Sequence, residues 1–213
     1  MSSTSRGSRM QPLAAAILFA ASFLFGVFAL TTPDFNAPDA TWVAFWNDRS
    51  NRVVEIAAAY ALLVAGGALV WFASQLGRHV GSRVVSSAGW AAAVMLWVGA
   101  VFLSAVPAAM SISGAPAPGA DIDRIVTDMG AAALAMFAVP VAAFAVAAAA
   151  RAGLRTGSLP RWLCWLGFVV AVLLVTLGGA VFPLPLLPVW AVLTGASVAF
   201  RRKPGVAVAA AAA

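Results

Sequence analysis

Glu55 is the only glutamate in the chain, and it stands at the third position of an apolar run that opens at Val53. An ionisable side chain inside lipid is costly and by default marks a functional site, here a ligand or proton site. Arg52 lies one helical turn before it and Arg49 is close. The same carboxylate therefore also reads as half of an ion pair at the headgroup boundary, near a helix N-terminus that favours it. Upstream, Pro38-Asp39 offers a helix start, and Trp42, Phe45 and Trp46 then fall on one face. That face suits an interfacial helix on the outer leaflet, or a lid over an outward-facing cavity. Pro140, inside a later apolar run, removes a backbone hydrogen bond and should kink its helix near Met136. Such a break frees a carbonyl that can line a cavity. Glu55, Arg52, Trp42, Trp46 and Pro140 are the candidate ligand or proton site.

Other chemistry is thin. Asp34, Asp39, Asp48, Asp121, Asp123 and Asp128 could offer oxygens to a hard cation, but no EF-hand spacing occurs, and no metal site is expected. Asp123 or Asp128 equally suits the cap or first turn of a helix. The single cysteine, Cys164, lies in an apolar run and reads as a small buried hydrophobe. One cysteine excludes an internal disulfide and CxxC chemistry. The single histidine, His79, lies in a short basic loop, so a bis-histidine haem site is excluded. A rhomboid-type protease needs a GxSG serine and an intramembrane histidine; Ser111-Ile-Ser113-Gly114 has serine where the first glycine belongs. HExxH, a Walker loop and a ladder of intramembrane arginines are all missing. The expectation is a protein that is not an enzyme and has no cofactor.

The solvent these residues sit in follows from composition. The 213 residues are 63% hydrophobic and 9% charged, against about 45–50% and about 25% in soluble domains. Six apolar segments approach the length of a membrane span, about 20 residues. They run from Leu13 to Thr32, Val53 to Leu76, Val84 to Val106, Ile125 to Ala150, Trp162 to Phe182, and Leu186 to Phe200, the last being short. Pro107 and Pro183 end the third and fifth. The fold class is all-α: a polytopic bundle of six transmembrane helices with a short interfacial helix in the first outer loop. Residues 1–12 form a cytoplasmic segment, 13–200 a single transmembrane domain, and 201–213 a basic, then Ala/Val-rich, cytoplasmic tail, disordered in its second part. Cleavage of the first span as a signal peptide near Val27-Phe28-Ala29 is the alternative; its apolar run is longer than usual for one.

Charge orients the bundle. All seven acids lie in or beside two loops, which carry only Arg49, Arg52 and Arg124 of the thirteen basic residues. Arg6, Arg9, Arg78, Arg83, Arg151, Arg155, Arg161, Arg201, Arg202 and Lys203 fall in the alternate loops and at the two ends, the positive-inside pattern. Both termini are then cytoplasmic, and the basic face meets anionic lipid headgroups. A nucleic-acid role is excluded because no basic stripe interleaved with aromatics occurs. Trp42 and Trp46 suit the outer interface, Trp71, Trp90, Trp162 and Trp165 the inner one, and Trp190 a place nearer the outer end. Trp97, mid-span, packs on a neighbour or faces acyl chains. The loop from Pro107 to Asp128 is turn-rich and flexible. Gly66-Gly67, Gly99 and Gly178-Gly179 allow close crossings, giving a compact bundle rather than a wide pore. Arg52-Val-Val-Glu55 and Arg124-Ile-Val-Thr-Asp128 open alternate spans, a weak echo of a parallel repeat.

At Gly157-Ser-Leu-Pro160-Arg161-Trp162-Leu-Cys-Trp165-Leu-Gly167 the chain resembles a phrase found in uncharacterised, often actinobacterial, six-helix membrane proteins grouped as a domain of unknown function. Trp71-Phe72-Ala73-Ser74-Gln75-Leu76 extends the resemblance; Cys164 stands where that family often has glycine. It implies a six-helix bundle in a bacterial plasma membrane and carries no activity or functional residue with it. Two functional readings follow. The first is a membrane partner subunit or lipid-interacting scaffold, in contact with lipids and a protein partner or a second copy. The second is a small carrier of a hydrophobic or weakly polar solute using Glu55 and the Pro140 kink. A buried Glu55 favours the carrier, and a surface Glu55 bridged to Arg52 opposes it.

Overall fold

The computed structural model describes residues 4–177 and 184–200, which are helical with no strand. The rods are α1 (Thr4–Phe28), α2 (Asp39–Asn47), α3 (Arg49–Val80), α4 (Arg83–Ile112), α5 (Ala120–Ala132), α6 (Val139–Thr156), α7 (Arg161–Thr176) and α8 (Leu186–Phe200). A π-helical turn at Ala133–Ala138 joins α5 to α6, so that 120–156 is one continuous rod. Four helices are long and apolar enough to cross a bilayer: Met10–Phe28, Arg49–Val80, Arg83–Ile112 and Ala120–Thr156. α7 and α8 are apolar but shorter, at 16 and 15 residues. Gly178-Gly179, Pro183 and the 201–213 tail lie outside the described residues.

Small residues set the packing. A Cβ on Gly26 would strike Leu62, joining α1 to α3, and one on Gly66 would overlap the Trp97 indole of α4. Trp97 thus packs on a neighbouring helix, and its Nε1 donates to Leu63 O at 3.0 Å. Gly99 and Gly130 let α4 and the 120–156 rod interlock through Leu134 and Leu103. Without a hydrophobic force between helices in lipid, such close approaches provide the dispersion contact that holds the bundle. Gly81 (φ 70°) and Gly157 (φ 65°) end α3 and α6 in the left-handed conformation, which costs glycine nothing. The two turns they make are adjacent, with His79 Nε2 3.4 Å from Ser158 O.

Two polar rungs tie α1 and the segment just after it to α3. Gln75 Nε2 donates to Gln11 Oε1 at 2.9 Å near one end, and the Thr31 amide donates to Glu55 Oε1 at 2.9 Å near the other. Glu55 and Gln75 stand about 20 residues apart on α3, which is about 30 Å, the thickness of a bilayer's hydrocarbon core. α3 as a whole has 32 residues, about 48 Å. It is therefore longer than that thickness, with its first turns ahead of Glu55 at the acidic end.

Several boundaries differ from those the sequence suggests. Pro107 does not end its span: it is buried inside α4, which continues to Ile112 before the Ser113-Gly114 turn. The turn-rich loop shrinks accordingly, because α5 begins at Ala120 and Asp128 lies well inside it rather than at its cap. α1 ends at Phe28, short of Pro33. α7 ends at Thr176, and the rest of the expected fifth span falls outside the described residues. α8 runs antiparallel to α1: Gly195 abuts Pro12 and Leu13, while Phe19 shares a small apolar cavity with Leu187 and Trp190. It therefore starts about halfway along α1 and sits toward the basic end. Trp190 is consequently not near the outer end but buried over Gly167, donating to Leu163 O at 3.3 Å.

Candidate functional site

The acidic end of the bundle is closed by a cap made of residues 31–38 and α2. Asp48 begins α3 as its N-cap: Oδ1 accepts from the Ser50 amide at 2.8 Å and the Ser50 hydroxyl at 2.6 Å. Those two bonds hold the exposed Asp48 carboxyl below its usual range, the hydroxyl being the larger cause. Because Asp48 is also the C-cap of α2, one residue makes the sharp turn between the helices.

α2 faces the protein, not the lipid. Trp42 and Trp46 are each 1% exposed and pack with Val106 of α4 and Ala120 of α5. Phe45 meets Trp46 edge-on at 4.9 Å, and Trp42 Nε1 donates to Asp34 O at 3.3 Å. The helical spacing of the aromatics is as expected, but an outer-leaflet anchor would leave these indoles against acyl chains. Spacing alone cannot say whether an apolar face meets lipid or protein.

Arginines grip both ends of α2. Arg124, on α5, donates to Phe35 O (2.9 Å) and Ala37 O (2.6 Å) and pairs with Asp39 (2.7 Å) and Asp121 (3.2 Å). Its side chain is only 13% exposed, and its bonds to the two carbonyls are charge-assisted, whereas the Asp39 and Asp121 side chains are exposed, so those two are surface pairs. Arg52 Nη1 donates to Trp46 O at the other end. The Arg52–Glu55 ion pair anticipated from sequence is therefore absent; the guanidinium turns back to a bare carbonyl at the end of α2. The echo between Arg52-Val-Val-Glu55 and Arg124-Ile-Val-Thr-Asp128 has this physical content at its arginines alone.

Beneath the cap lie two buried carboxylates. Glu55 has no exposed surface; Oε1 takes the Thr31 amide, and Oε2 has no partner among the described residues. Asp123 has no exposed surface either, and neither of its oxygens has a partner. It sits one turn after Ala120 on the α5 face that packs on Trp42 and Trp46. Neither acid forms an ion pair among the described residues, where both salt bridges belong to Arg124. Trp46 Nε1 and Arg52 Nε are buried donors without an acceptor. Such groups are rare in folded proteins and costly. Together they give the cap unmet acceptors and unmet donors at one end of the bundle, suited to a small polar guest or a proton.

Arg52, Trp42 and Trp46 thus meet at the cap, and Glu55 lies at the same end of the bundle, bonded to Thr31; Pro140 does not join them. It follows the π-helical turn, in which the Val139 amide reaches Leu134 O. The helix departs from α geometry around Met136, where the sequence places the proline kink. From sequence, Asp123 reads as a cation ligand or helix-start acid and not as part of this site, and Arg124 is not a candidate. Their signal was available: with a helix starting at Ala120, residues 120 and 123 share a face with the partly buried Val126, and Arg124 borders it. Comparison of the chain with protein-family models, with curated proteins and with solved structures gives no match.

Proposed function

We propose that the protein is a multi-pass membrane carrier of a small hydrophobic or weakly polar solute, coupled to a proton or monovalent cation taken up at Glu55 and Asp123. The observation that carries this reading is that both carboxylates are wholly buried without a cationic partner under a latched aromatic cap. Burying an unpaired ion costs several kcal/mol even after relaxation, and ionisable groups at this depth are kept for a use. A partner subunit or scaffold has no need of them. Trp42, Trp46 and α2 form the outer gate in its closed position, with Arg124 and Arg52 as its latches. The π-turn before Pro140 gives the 120–156 rod a joint, as such turns do at many functional sites.

The topology belongs to the same proposal: six spans, α7 and α8 included, with both termini on the cytoplasmic side of a bacterial plasma membrane. The antiparallel seat of α8 on α1 supports a common side for the two ends, and the confinement of the acids to the cap end supports its orientation. A six-helix bundle in a bacterial plasma membrane is also what the resemblance at Gly157 to Gly167 implies.

Charge displacement on a solid-supported membrane tests the reading without knowledge of the solute. Proteoliposomes given a jump in pH or in sodium should produce a transient current that is abolished in Glu55→Gln with Asp123→Asn. Equal currents in wild type and double variant, or none in either, would remove the carrier reading in favour of the scaffold.

A further inference from the structure

A second cavity, far from the cap, opens at the basic end. It is a cleft of about 470 Å³ between α4, α6 and α7, lined by Ser82, Val84, Phe144, Arg151, Arg155 and Phe168 with alanines between them. Phe144, Arg151 and Arg155 fall on one face of α6, spaced by about two turns and one turn. Ala147, Ala148 and Ala152 make the floor; their small side chains leave the channel unfilled. The polar end holds the two guanidiniums and the Ser82 hydroxyl. From Arg155 to Phe144 the groove runs about 16 Å along the outer face of α6, and Phe144 at its far end is 61% exposed.

The arginines have no counter-charge of their own. Neither Arg151 nor Arg155 makes a hydrogen bond or ion pair among the described residues, and no acid lies between Asp128 and the end of the sequence, or between Glu55 and Asp121. Ser82 heads α4 without a side-chain capping bond. The cleft therefore offers an anion two positive charges and a hydroxyl, and offers whatever is attached to that anion an apolar trough. A free phosphate would use only the first half. An anionic glycerophospholipid would use both, and its headgroup lies at the depth of the arginines.

We propose that this cleft is a specific site for one anionic glycerophospholipid of the inner leaflet. Its phosphate is bound by Arg151, Arg155 and Ser82, and one acyl chain lies over the alanine floor between Phe144 and Phe168. Basic recesses between membrane helices bind acidic headgroups in this manner. The proposal is independent of the carrier reading, since no group of the cap takes part.

Native mass spectrometry of the full-length chain in detergent tests it, with phosphatidylglycerol and phosphatidylcholine of the same acyl composition as probes. Phosphatidylglycerol should be retained in preference, with one lipid per chain. Arg151→Gln with Arg155→Gln should weaken its retention about 30-fold, from the worth of two basic residues near an anionic headgroup. Arg161→Gln, outside the cleft, should leave it unchanged. Ala148→Phe, which fills the trough and keeps both charges, should also release the lipid; circular dichroism of each variant reports that the fold is kept. Equal retention of the two lipids, an unaffected arginine double variant, or full displacement of the lipid by inorganic phosphate at equal concentration would overturn the proposal.

Discussion

Glu55 offers the sharpest test, because two substitutions that both delete its charge should behave differently. Glu55→Gln keeps the side-chain volume and an oxygen for the Thr31 amide, which now bonds Glu55 Oε1 at 2.9 Å. Glu55→Ala removes both. The orphaned amide costs about 1–3 kcal/mol. The space left where a side chain had no exposed surface adds about 1 kcal/mol. Alanine should therefore lie about 2–4 kcal/mol below glutamine, a gap of about 4–16 °C in melting temperature for a chain of this size. Glutamine itself should melt at or above wild type, since it relieves a buried carboxylate that has no ion-pair partner. Thermal unfolding in nanodiscs, with all three proteins at one pH, gives the comparison. If glutamine falls as far as alanine, the carboxylate is satisfied by a partner that the structure does not place there. Glu55 would then not be an acid without a cationic partner, and the carrier site would lose its basis.

Three further outcomes are expected. Arg124→Gln should unlatch the cap, losing about 2–4 kcal/mol, shifting the emission of Trp42 and Trp46 to the red and exposing residues 33–38 to protease; Arg124→Lys should not restore it, because an ammonium cannot span the same fork of acceptors. Gly66→Ala should cost about 1–3 kcal/mol by overpacking against Trp97, and Trp97→Phe should recover part of that loss, read as a coupling energy in a double-mutant cycle. For Asp48 the sign follows from its lowered folded value: its contribution is present above the ordinary 3.8 and is lost as pH falls through the lower folded value. Protection of the Ser50 amide, its exchange rate relative to the intrinsic rate at the same pH, should be lost in that acid window, and Asp48→Ala should lack that protection at every pH. An Asp48→Ala chain with unchanged exchange would remove the cap from the account.

What the sequence revealed and what it hid divide along physical lines. Apolar length and loop charge report on the solvent around each segment. The long rods therefore lie where the spans were expected, and α8 begins at Leu186 as read. Helix ends are set by hydrogen bonds rather than by polarity. α3 starts at Arg49, ahead of its apolar part, because Asp48 caps it, and α4 outruns Pro107 because one missing N–H does not stop a buried helix. At the site, Glu55 was conspicuous by residue type, but its neighbour in sequence was not its partner in space. Arg52 had a closer claim at Trp46 O. Asp123 was hidden because an aspartate in a helix's first turn has an ordinary explanation, and only tertiary packing removes its water.

The rungs at Gln11–Gln75 and Thr31–Glu55 have a mechanical consequence. One joins α1 to α3 and the other joins α3 to Thr31, three residues past the end of α1, so α3 cannot slide along the first segment of the chain without breaking both at once. The hairpin behaves as a gauge block of fixed height, about 30 Å between its polar marks. A bilayer thicker or thinner than that must deform to meet it, at a fraction of a kcal/mol per ångström. Any motion that opens the acidic end then falls to the elements not bound by those rungs, with α1 and α3 as the stationary frame against which α2 and the 120–156 rod move.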